Sequence, residues 1–134
     1  LTNKNLEGEL DLSDFKNLEE LDCGDNELKT LKLNEINDLT KLVHLDCRDN
    51  YLPDLKLPSS TGLTYLTIRN NNLSKRNLSM FSHLTNLEIL YIGSDEHDQD
   101  KVDKGIYNKF EGSLKYLKNL ENLTELSISS TDID

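Results

Sequence analysis

The chain has 134 residues, room for one domain and too few for a second independent fold. Hydrophobic residues make up 35% and charged residues 30%, a mixture that suits an elongated object with a thin continuous core rather than a compact globule. The formal net charge of -10 repels phosphate backbones and argues against a nucleic-acid partner. No apolar run approaches the roughly 18 residues that a membrane-spanning helix needs, and nothing resembles a signal peptide.

In chain order, the opening LTNKNLEGELDLSDFKN carries Leu6, Leu10, Leu12 and Phe15 and is expected to form a degenerate first turn over residues 1–17. Three units follow: LEELDCGDNEL from Leu18, LVHLDCRDNYL from Leu42 and LTYLTIRNNNL from Leu63. Their starts lie 24 and then 21 residues apart, and all match L-x-x-L-x-(L/C/I)-x-x-N-x-L at every fixed position. Two looser units, LEILYIGSDEH from Leu87 and LTELSISSTDI from Leu123, keep the first three apolar positions and place Asp95 and Thr131 where Asn stood. Recurrence at this period marks a stack of structural repeats.

Within each unit the middle residues read as a short strand, with Leu21 and Cys23 pointing inward and Glu20, Asp22 and Gly24 outward. Strands separated by 21 or more residues pair parallel, through crossovers on the far side of the core. The pattern resembles the leucine-rich repeat family over nearly the whole chain. That resemblance implies an α/β architecture: a right-handed solenoid with a parallel sheet on its concave face and short helical or irregular convex segments. Asn26, Asn50 and Asn71 fall where the chain leaves each strand, placed to satisfy backbone groups of neighbouring turns. Asp95 and Thr131 are expected to be weaker members of the same ladder.

The crossovers LKTLKLNEINDLTK and LPDLKLPSSTG read as extended or turn-like. NLSMFSHLTN and GSLKYLKNLEN are expected to hold short helical pieces, with Phe81 and Leu84, or Leu114 and Leu117, facing inward. The interval from Leu87 to Leu123 is about twelve residues longer than its neighbours, and the excess lies in SDEHDQDKVDKGIYNKF, near residues 94–110. A polar loop bulging from one edge is the expectation there. The chain stops just after its last strand pattern without a polar cap, so this end is expected to continue into a longer repeat protein or to pack on something, self-association included.

Cys23 and Cys47 occupy one inward position of adjacent strands, about 4.8 Å apart with parallel Cβ vectors, which reads as free buried thiols rather than a disulfide. Free thiols favour an intracellular setting over a secreted or cell-surface one. The run Asp95, Glu96, His97, Asp98, Asp100 and Asp103 lacks the glycine and alternating oxygen ligands of an EF-hand, so a solvated loop without a metal is expected. No GxSxG, phosphate-loop or HExxH motif is present, so neither catalysis nor a cofactor is expected. Sequons begin at Asn72, Asn77 and Asn122 and carry little weight in a chain this rich in Asn, Ser and Thr.

The outward strand positions form three columns: Glu20, His44, Tyr65, Ile89, Glu125; then Asp22, Asp46, Thr67, Tyr91, Ser127; then Gly24, Arg48, Arg69, Gly93, Ser129. Tyr and Arg are the residue types that most often carry interface energy. The partner-binding surface is therefore read as His44, Arg48, Tyr65, Thr67, Arg69, Ile89 and Tyr91, with Asp22 and Asp46 as an acidic flank. The expected partner is another protein or peptide bearing basic groups. The phrases LDLSDFKNLEELDC, IYNKFEGSLKYLKNL and LSISSTDID resemble leucine-rich repeat proteins of plant-symbiotic fungi, which implies an interaction module. LDC-x-x-N is also similar to surface repeats of some bacteria, which implies an adhesion or receptor role as the alternative.

Overall fold

The computed structural model describes residues 1–33, 41–59 and 62–134. Five strands of three residues build one parallel sheet: β2 (Glu20–Asp22), β4 (His44–Asp46), β5 (Tyr65–Thr67), β6 (Ile89–Tyr91) and β8 (Glu125–Ser127), ordered β2-β4-β5-β6-β8. The register aligns Leu21, Leu45, Leu66, Leu90 and Leu126, so the periodic leucines stack one above another. With Cys23, Cys47, Ile68 and Ile92 the first four form the core beneath the sheet. Leu126 departs from its column: on the edge strand β8 of the described sheet it is 38% exposed, whereas its counterparts are buried.

The first residues of the chain lie against the first repeat. The Leu1 amine and the Asn3 N–H donate to the Asp22 and Gly24 carbonyls, placing residues 1–3 beside β2. β1 (Glu7–Asp11) pairs in parallel with β3 (Glu27–Lys32), a strand built from the start of the crossover read as extended, and β7 (Glu111–Gly112) pairs in parallel with β9 (Asp132–Ile133). Residues 34–40 of that crossover lie outside the described residues, as do residues 60 and 61 of the next. The later crossovers hold 3-10 turns, Leu78–Phe81 and Leu114–Leu117, capped by the Asn77 and Ser113 side chains, which accept the Ser79 and Lys115 N–H groups. Phe81, Leu84 and Leu117 face the core, but Leu114 does not, being 42% exposed at the first position of its turn.

An asparagine ladder joins the turns. Asn50 Nδ2 donates to the Cys23 carbonyl at 3.0 Å, and its Oδ1 accepts the Leu28 N–H at 2.9 Å. Asn71 repeats this one turn on, with Cys47 at 2.9 Å and Leu52 at 3.0 Å. The next member is Asn108 rather than Asp95, donating to the Ile68 carbonyl at 2.7 Å and accepting the Leu73 N–H at 3.1 Å. Burial explains the exchange: the position is closed to water, and a carboxylate has no hydrogens to donate to a carbonyl. Thr131 keeps one bond within its own turn, to the Ile128 carbonyl. Just before each repeat asparagine the backbone is left-handed, at Asp25, Asp49 and Asn70 (φ 53°, 53° and 55°), residue types that tolerate it. Gly93 is required by close approach, since a Cβ there would lie 2.3 Å from the Ser129 carbonyl oxygen.

The insertion after β6 carries local structure of its own. It contains a 3-10 turn, Glu96–Asp98, and a short helix α1, Gln99–Asp103, and it returns along the edge where the strands exit. Lys101 Nζ lies 4.8 Å from the Tyr51 ring centroid, two repeats earlier in the stack.

Candidate functional site: the concave sheet face

The register brings the first column together as an aromatic run. His44 and Tyr65, paired across β4 and β5, stack with centroids 4.2 Å apart and planes 3° from parallel. Tyr91, from the second column of β6, meets Tyr65 edge-on at 6.2 Å. All three are half-buried, as is Ile89 between Tyr65 and Glu125 in register. The Tyr91 hydroxyl donates to the Glu125 carboxylate, and that bond raises the tyrosine's pKa.

Two of the residues read as accessible are not. Asp46 is 3% exposed and Thr67 1%, although both project from the concave side. Alternation along a strand fixes direction but not coverage: Asp46 lies under the Arg48 guanidinium, and Thr67 is a short side chain in register between Asp46 and Tyr91. Thr67 Oγ1 is buried with no hydrogen-bond partner among the described residues. The pair forms a polar floor rather than a contact surface.

Both arginines of the third column are matched by carboxylates. Arg48 pairs with Asp46, with Asp25 at 3.5 Å and with Asp49 at 3.6 Å. Burial holds the Asp46 carboxyl above its ordinary range, against the lowering effect of the Arg48 N–H bond and charge. Arg69 pairs with Asp95, and its guanidinium carbon is 5.8 Å from the Tyr91 centroid. Glu20, Asp22 and Glu125 stand exposed at the two ends of the face. For Asp22 burial acts upward, but hydrogen bonds from Thr2 and the Gly24 N–H outweigh it and lower the pKa. The face therefore carries arginines matched by carboxylates at its centre and exposed carboxylates at its ends.

Three contributors escaped sequence reasoning: Glu125 as the acceptor of Tyr91, Asp95 as the partner of Arg69, and Asn108 in the ladder. The last had a readable signal, since Asn108-Lys109-Phe110 repeats N-x-L with a buried Phe in place of Leu. Among the described residues no group of three or more His, Cys, Asp or Glu side chains is placed to hold a metal ion, and no helix is long and apolar enough to cross a membrane. Cys23 and Cys47 are free and buried; burial, followed by the Asp46 and Asp22 charges, pushes the Cys23 thiol up to about 12.

Stacked parallel strands, inward leucines and a ladder of asparagines define a leucine-rich repeat solenoid. An internalin of Listeria monocytogenes has the same fold, with a TM-score of 0.66 and 21% identity over 92% of this chain and 32% of the internalin. A leucine-rich repeat protein of Leptospira interrogans matches with a TM-score of 0.59 and 21% identity, over 92% of this chain and 34% of its own. The chain spans about a third of the length of either. No family model and no curated protein matches the sequence.

Proposed function

We propose that this domain is a non-catalytic recognition module that binds another protein or peptide on its concave sheet face. The observation that carries the reading is the aromatic run His44–Tyr65–Tyr91, half-exposed on a sheet whose core does not need it. Rigid aromatic side chains give large contact area at small entropic cost, which suits them to hot spots. Arg48, Arg69 and Ile89 flank the run, Asp46 and Thr67 floor it, and Asp22 with Glu20 faces basic groups of the partner. The expected setting is intracellular, supported by two buried free thiols in a fold without a disulfide.

The test is affinity capture from the native cells with the isolated domain and with a Tyr65→Ala, Tyr91→Ala variant. Proteins retained by the first and lost by the second support the reading; equal retention refutes it. A second reading, extracellular adhesion, is favoured by the exposure of Asn77 and Asn122, which open two sequons. Mass spectrometry of the native protein decides: glycan on either residue places the domain in the secretory route.

A further inference from the structure

We propose that Asp95, carried by the insertion after β6, is a positioning residue that sets the sign of the concave face, so that the Tyr65–Tyr91 surface takes an arginine or lysine side chain of its partner. This rests on the concave-face reading and names the chemistry that face selects.

Asp95 is held from two sides. Its N–H donates to Asn70 Oδ1 at 2.9 Å, and its Oδ2 accepts from Asn70 Nδ2 at 3.4 Å. Asn70 is itself fixed: its left-handed backbone donates to the Gly93 carbonyl at 3.1 Å, and its Nδ2 also reaches Asp49 Oδ1 at 2.8 Å. Farther along, the insertion is anchored by Lys101 over Tyr51. So placed, the remaining Asp95 oxygen meets Arg69 and keeps that guanidinium at the Tyr91 ring rather than free over the sheet.

Charge bookkeeping gives this contact its consequence. Arg48 is already matched by Asp25, Asp46 and Asp49. Once Asp95 matches Arg69, the face has no unopposed positive charge at its centre, while Glu20, Asp22 and Glu125 remain around the tyrosines. An incoming ammonium or guanidinium meets ring faces that attract cations and carboxylates that do the same. Without Asp95, the Arg69 charge, 5.8 Å from the Tyr91 centroid in the paired arrangement, is left uncompensated and repels that cation, an effect on the order of tenfold in affinity at a solvated surface.

The experiment titrates the domain with two synthetic alanine-based peptides, one carrying two arginines and one carrying two glutamates, following the tyrosine ring signals by NMR. In the unmodified domain the Tyr65 and Tyr91 signals should shift with the arginine peptide and not with the glutamate peptide. Asp95→Asn should weaken arginine-peptide binding about tenfold, while Arg69→Gln should not weaken it. The double variant, Asp95→Asn with Arg69→Gln, should recover binding to within about twofold of the unmodified domain. A double variant as weak as Asp95→Asn overturns the proposal, because Asp95 then acts by direct contact or by holding the insertion, and the concave-face reading still stands. Equal shifts with the glutamate peptide overturn the charge selection. Tyrosine signals unmoved by the arginine peptide overturn the proposal and the concave-face reading together.

Discussion

Replacing Asn50 by alanine tests the physics of the stack at its most concentrated point. Asn50 is fully buried; its Nδ2 donates to the carbonyls of Cys23, Cys47 and Arg48, and its Oδ1 accepts the Leu28 N–H. Alanine removes all four bonds and leaves the Leu28 N–H facing a space closed to water, while the Cys23 carbonyl keeps the Asn26 Nδ2 donor at 3.0 Å. The one buried unsatisfied group costs about 1–3 kcal/mol, and the other lost bonds add about 1 kcal/mol net, so the substitution should cost about 3–4 kcal/mol. That is a large share of the roughly 5–15 kcal/mol that stabilises a typical domain, and it should lower Tm by about 10 °C or more. Thr131→Ala is the internal control, since it removes one bond, Oγ1 to the Ile128 carbonyl, at a partly solvated end. We expect about 1 kcal/mol or less from it. Urea unfolding followed by circular dichroism gives both numbers. A cost for Asn50→Ala below about 1 kcal/mol, or equal to that of Thr131→Ala, would refute the ladder as the source of cohesion between turns.

Other outcomes follow from single contacts. Gly93→Ala should destabilise by about 1–3 kcal/mol, as overpacking does, because its Cβ would displace the Ser129 carbonyl that accepts the Ser94 N–H; calorimetry showing no loss would contradict the close approach. Thr67→Val should be neutral or raise stability by about 1 kcal/mol, since the Oγ1 it removes is buried without a partner, and a clear loss in urea unfolding would mean that this hydroxyl is bonded. Cys23 and Cys47 are fully buried and burial pushes both thiols up, so iodoacetamide should label the folded chain far more slowly than the unfolded one. Comparable rates would place the thiols at the surface. Asp49 is raised above its ordinary range first by burial and then by Asp98, against the lowering effects of Asn70 and Lys101. A raised carboxylate holds its proton more tightly folded than unfolded, so its contribution is complete below the unfolded pKa and is lost as pH rises through the folded one. The stability of Asp49→Asn relative to the unmodified chain should therefore climb with pH across the acid range, and the opposite slope would contradict the burial assigned here.

The inward half of this molecule was legible because it obeys a period. Leu21, Cys23, Asn26 and Leu28 and their successors recur at fixed offsets, and a strand that alternates sides leaves few choices for the core. The ladder failed to read where spacing failed: Asn108 follows the end of its strand by 17 residues where Asn71 follows by 4, and Asp95 stands at the position the pattern would fill. The outward half was legible in direction but not in exposure. Asp46 and Thr67 project as expected and are covered, because their accessibility depends on the reach of the surrounding side chains across neighbouring strands. Leu114 shows the reverse limit, an apolar residue left outside because a 3-10 turn of four residues presents little more than one inward face. The pairing of Arg69 with Asp95 joins residues 26 apart through a loop with no periodicity to follow.

The most direct test of a concave recognition face is selection of random dodecapeptides against the immobilised domain, followed by measured affinities for the enriched sequences. We expect enriched peptides rich in arginine or lysine, with affinity falling at least tenfold for a Tyr65→Ala, Tyr91→Ala variant that keeps its fold by circular dichroism. Enriched peptides that are acidic, or that bind the double variant as tightly as the unmodified domain, would contradict recognition through this face.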